Sequence, residues 1–130
     1  MAIMTNVIKA PPRFDLEERT HQFAVNIIKF YKKVPINVIT TPLISQGVRS
    51  GTSVGANYCE ADDAETGKDF KHKIGICKNE ARETRHWLRL MVVAVPEIEP
   101  HAIPLIQESK ELNLIFNAIV RSYNNSSNNG

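Results

Sequence analysis

Cysteine is scarce in this chain, and what there is argues against a disulfide scaffold. Cys59 and Cys77 are the only two. Helical spacing sets them roughly 9 Å apart along neighbouring antiparallel helices, beyond the ~7 Å that a disulfide spans between Cα atoms. The expectation is two free, small, buried thiols. Long apolar runs are missing too. The longest uncharged stretch, Val34 to Val48, contains Pro35, Asn37, Thr40, Thr41 and Pro42. It predicts a loop and a helix start, and no membrane partner is expected. The opening MAIMTNVIKAPPR has no apolar core followed by a small-residue cleavage site, so the cytoplasm is the expected compartment. Charge of one sign is also lacking. With 16 Lys and Arg against 14 Asp and Glu, the formal net charge is +2. Only local clustering of cations could then serve a polyanion.

The usual carriers of chemistry are absent or incomplete. The run Gly51-Thr-Ser-Val-Gly55 has neither the Lys nor the preceding strand of a phosphate-binding loop. Ser50, Thr52 and Ser53 have no glycine elbow to present them and no His nearby in sequence. Cys59 stands next to Glu60, which opposes thiolate formation. The acids Glu60, Asp62, Asp63, Glu65 and Asp69 lack the alternating ligands, central Gly and final Glu of a calcium loop. They predict helix capping and solvation. Glu18-x-x-His21 and Glu83-x-x-His86 together make half of a di-iron carboxylate recipe. However, His86 falls about 160° from the core line of its helix, and His21 sits in a first turn while the other pair is mid-helix. The sequence thus predicts no enzyme activity, no metal site and no cofactor.

What the chain does have is helical period. At 130 residues with 42% hydrophobic content, it suits one domain. A first helix is predicted from Asp15, with Glu18 as capping-box partner and a stripe of Leu16, Phe23, Ile27, Phe30 and Val34. Lys32, Lys33 and Pro35 close it. Thr41-Pro42 predicts the start of a second helix, with a hydroxyl cap before Pro at the first helical position. In that helix Gly47, Gly51, Gly55 and Cys59 recur every four residues on one face. Each interior Gly costs about 1 kcal/mol of helix propensity. Close approach of another backbone, within a bundle or between subunits, would offset that cost, so Gly51 and Gly55 are candidate packing residues.

Thr66 and Asp69 predict the cap of a third helix that runs to Pro96 along Phe70, Ile74, Cys77, Ala81, Thr84, Leu88, Met91 and Val95. A fourth helix is expected to begin between Pro100 and Pro104 and to carry Leu105, Leu112, Phe116, Ile119 and Tyr123. Short loops between all four make an all-α, antiparallel, up-down-up-down bundle. Residues 1–14 read as an N-terminal extension, 15–123 as the bundle, and 124–130 as a disordered polar tail.

Two surface features point to partners. Lys71, Lys78, Arg82, Arg85 and Arg89 form a line along ~27 Å of the third helix, on the face opposite the core. Such a line could bind RNA or DNA weakly through phosphates; the alternative is a solvated face neutralised by pairs such as Asp69–Lys73 and Glu80–Lys73. Trp87, Leu90, Val92 and Val93 make the end of the third helix apolar nearly all round. A third helix outrunning partners of about twenty residues would leave those side chains uncovered, a surplus that self-association would bury.

The run Ser45-Gln46 … Arg49-Ser-Gly-Thr-Ser-Val-Gly-Ala-Asn-Tyr-Cys-Glu-Ala61 resembles the second-helix motif of the bacterial four helix bundle protein family. That family includes proteins encoded in intervening sequences of some 23S rRNA genes, also labelled S23 ribosomal proteins. Lys68-Asp-Phe … Glu80-Ala-Arg-Glu-Thr … Trp87-Leu88 and the apolar run Phe23 to Val34 agree with it, and the likeness covers roughly residues 15–123. Gly47 departs from the family pattern, where a larger apolar residue such as Leu is usual. The resemblance implies a four-helix protomer in a ring, expected as a homopentamer, without enzyme activity. A more distant similarity links it to retroelement accessory bundle proteins that bind nucleic acid.

Overall fold

Helices form where the 3.6-residue apolar period predicts them. The computed structural model describes residues 15–129, and the predicted extension 1–14 lies outside them. Helix α1 spans Leu16–Tyr31, α2 Thr40–Asp62, α3 Gly67–Ala94 and α4 Glu99–Asn129, with a 3-10 turn at Pro96–Ile98 before α4. Among the described residues there is no strand, and no helix is long and apolar enough to cross a membrane.

Side-chain pairs establish the antiparallel order. Tyr31, Ile27 and Thr20 of α1 lie against Gly47, Gly51 and Gly55 of α2, one series falling as the other rises. Thr84 donates to Ser50 at 3.0 Å, the Cys77 thiol to the Val54 carbonyl at 3.5 Å, and Lys73 to Glu60 at 2.6 Å, which runs α3 against α2. Asn113 of α4 donates to the Lys78 carbonyl of α3 at 2.9 Å, and Arg19 of α1 holds Glu108 of α4 at 2.7 Å. The core within this frame includes Phe23, Ile27, Val54, Ile74, Leu88, Met91, Leu112 and Phe116, each at most 2% exposed.

Helix ends are where sequence expectation and structure part. Asp15 is the N-cap residue of α1, but its side chain makes no capping bond. Thr41 does not cap α2 either. Asn37 does: its side-chain oxygen accepts from the Ile39 and Thr40 amides, both at 2.9 Å. Buried Thr40 braces the turn, accepting from the Asn37 amide and donating to the Pro35 carbonyl. Pro42 falls third in the helix and not first, one residue after the Thr41 amide that bonds to the Asn37 carbonyl at 3.0 Å. Thr66 accepts from the Asp69 amide at 3.0 Å, as the sequence predicts for α3.

α4 starts at Glu99, which puts Pro100 in the first turn, where its missing N–H costs no bond. It runs on through Asn129, so the tail read as disordered is helical as far as that residue. Once a helix is nucleated each added residue gains a hydrogen bond, and neither Gly nor Pro interrupts Asn124–Asn129. At 28 residues α3 outruns α1 and α2, with 16 and 23, but not α4, with 31. Cys59 also differs from expectation. It is free but exposed, while Cys77 is free and buried.

Candidate functional site

The two flanks of α3 carry opposite chemistry. At 100° per residue, Lys73, Glu80 and Glu83 turn toward α2. Arg49 of α2 clamps both glutamates, reaching Glu80 at 3.3 Å and closing on Glu83. Burial pushes the Glu80 carboxyl above its ordinary value, and the Arg49 charge draws it back down. Trp87 donates its indole N–H to the same Glu83 at 3.1 Å. The pairs expected within the helix are replaced by pairs between helices: Lys73 binds Glu60, and Glu80 binds Arg49.

Lys71, Lys78, Arg82, Arg85 and Arg89 occupy the other flank, beside α4. Their line is not opposite the core, as its spacing suggested, but about a quarter-turn from it. The Asn113 bond to the Lys78 carbonyl and the Lys71 ammonium, 5.8 Å from the Tyr123 ring centre, locate this flank. Among the described residues none of the five cations is in an ion pair. Arg82 and Arg89 are exposed, and the other three are half-buried. The Arg85 Nε is buried without a hydrogen-bond partner. Arg49, which the sequence does not single out, pairs with Glu80 and Glu83 on the far side of α3. Spacing alone could not find it, because the clamp joins residues 31 and 34 apart.

The glycine face of α2 turns toward α1 within the protomer. A Cβ at Gly51 would stand 2.9 Å from two carbons of Ile27, and one at Gly55 would stand 3.2 Å from the Thr20 hydroxyl. The family departure at Gly47 has a local cause. The Tyr31 phenol fills the space where a side chain at 47 would go. Its hydroxyl is buried without a partner, which pushes its pKa up.

The apolar surplus is split. Val93 and Leu90 are 76% and 36% exposed, but Val92 packs against the core and Trp87 is half-buried with its indole bonded. Trp87 and Val92 therefore do not belong to one continuous bare patch. More apolar surface lies in the α1–α2 connection, at the same end of the bundle as Val93. There Ile36, Val38 and Ile39 are 75%, 85% and 61% exposed. The sequence predicts a loop there, and the structure shows that the loop displays aliphatic side chains. An aliphatic triplet in a loop punctuated by Pro and Asn was the available signal.

A hollow of about 410 Å³ between α1 and α2 is lined by Glu17, Glu18, Thr20, His21 and Cys59, among others. Among the described residues no three His, Cys, Asp or Glu side chains stand close enough to hold a metal ion. His21 and His86 are both exposed. The buried thiol, Cys77, is pushed up to about 12 by desolvation, which makes it inert as a nucleophile.

The chain matches the family model of the 23S rRNA-intervening sequence protein over residues 13–118. Its fold is similar to the crystal structure of a protein with unknown function from the S23 ribosomal protein family of Bacteroides thetaiotaomicron. The two share 31% identity and a TM-score of 0.71, over 80% of this chain and 96% of that one. Among curated proteins none matches.

Proposed function

The chain belongs to the 23S rRNA-intervening sequence protein family, and from that premise we propose that it is a non-enzymatic, homo-oligomeric binding protein of the cytoplasm. One observation carries the reading: Ile36, Val38, Ile39 and Val93 expose 61–85% of their surfaces at one end of the bundle. Asn37 and Thr40 hold the loop in that shape, so docking costs little ordering of the chain. Four bare aliphatics at one end are apolar surface of the kind that marks an interface. A surface that is not self-complementary closes into a ring when the rotation permits. A ring of five is the form proposed. Light scattering should give about 73 kDa for five protomers of 14.6 kDa. Replacing Val38 and Ile39 with Asp should shift the protein to smaller species. A monodisperse protomer of the unaltered chain at micromolar concentration rules the reading out.

A second reading, weak binding of RNA or DNA, rests on the five cations beside α4, none of them ion-paired among the described residues. Affinity should then fall steeply with salt, and replacing Lys78 and Arg82 with Gln should reduce the slope of log K against log salt by about two. Absence of binding at about 50 mM salt would leave only the assembly role.

A further inference from the structure

Helix α1 is about half the length of α4, with 16 residues against 31. Its N-terminal end lies near the middle of α4, because Arg19 reaches Glu108 and Glu111. Those two acids begin a stripe on α4 that continues at steps of three and four through Ile115, Ile119, Ser122 and Ser126. Its lower half has no α1 beside it. In its place is a hollow of about 550 Å³ lined by Phe70, Ile115, Ala118, Ile119, Ser122 and Tyr123. Phe70, Ile115, Ile119 and Tyr123 are each left only half-buried.

We propose that this hollow is the docking site of the chain's own residues 1–14, which would complete the short side of the bundle. The segment joins α1 at Asp15, directly above the uncovered stripe. Its apolar residues Ile3, Met4, Val7 and Ile8 fall at helical steps and are followed by Pro11-Pro12. The length also fits. From the level of Leu112 to Ser126, α4 advances ~21 Å, a span that fourteen residues cover at any rise of ~1.5 Å per residue or more. A lining of aromatic and aliphatic side chains with two serines suits such an apolar strip better than a charged ligand.

Disulfide trapping in the full chain tests this. In a Cys59→Ser background, Val7→Cys with Ser122→Cys should form an intramolecular disulfide at least tenfold faster than Val7→Cys with Asn79→Cys, whose partner lies on the far side of α3. A second measurement covers the case in which the cysteines disturb the fold. Replacing Val7 and Ile8 with Asp should raise binding of an apolar fluorescent dye several-fold, and Ile119→Asp in the same chain should reverse it. Equal rates for the two cysteine pairs overturn the proposal, as does unchanged dye binding. A disulfide linking two chains overturns it as well, and assigns the hollow to a second copy.

Discussion

Gly51→Leu should lower the stability of the fold by about 3 kcal/mol, through overpacking against a core that cannot yield. The reason is on both sides of the contact. Ile27 is fully buried, and its two γ-carbons would stand 2.9 Å from the first atom of any side chain at 51. Those carbons are close to the α1 backbone and cannot swing aside as the end of a long side chain could. Gly51→Ala should lose less, because it recovers about 1 kcal/mol of helix propensity. Gly55→Ala should lose least, since its 3.2–3.4 Å contacts ask Thr20 to shift only by a few tenths of an ångström while the helix recovers about 1 kcal/mol of propensity. Gly47→Leu should be at least as damaging as Gly51→Leu, because the Tyr31 ring occupies the site. Here a second change gives a rescue. Tyr31→Ala vacates the space, so the double variant should recover much of the loss, a coupling that a urea-denaturation cycle reads directly. An unchanged melting temperature for Gly51→Leu would show the face to be open and this packing account to be wrong.

Raising the pH toward 11 should weaken the fold. Cys77 is completely buried and its pKa is pushed up to about 12, and burial pushes Tyr31 up as well. Both groups hold their protons more tightly folded than unfolded. Their contribution is therefore fully present below pH 9, the ordinary thiol value, and is lost as pH climbs toward 12. At 1.36 kcal/mol per unit, Cys77 alone accounts for about 3 kcal/mol by pH 11. Urea midpoints measured at pH 8 and pH 11 should differ accordingly. Cys77→Ala combined with Tyr31→Phe should flatten that difference even if it changes the midpoint at pH 8. If the pair of substitutions leaves the alkaline slope as it was, ionisation of these two groups is not the cause.

The helices were legible in the sequence because a 3.6-residue apolar period is a local property. Leu16, Phe23 and Ile27, or Ile74, Cys77 and Ala81, lie on one face whatever surrounds them, and all six are core residues. Thr66 could be read as a cap because cap and amide are three residues apart. Thr41 misled for a related reason. Hydroxyl and proline together make a good local cap, but Asn37 captured the amides first and moved the helix start upstream. The polar composition of residues 124–129 predicts disorder, although such residues also extend a helix that already exists, as α4 does to Asn129.

The candidate surfaces divide along the same line. The sequence by itself determined the family, the four helices, the alignment of Lys71, Lys78, Arg82, Arg85 and Arg89, and the glycine face. Each of these depends on spacing within one helix or on a motif within one segment. Only the tertiary structure decided which neighbour each face meets. It turned the basic line toward α4, bound Glu80 and Glu83 to Arg49, seated Tyr31 over Gly47, and divided Trp87 and Val92 from the exposed Val93. The physical reason is that a helix specifies its own faces through periodicity. What covers a face depends on side chains of other helices, and no local pattern encodes them.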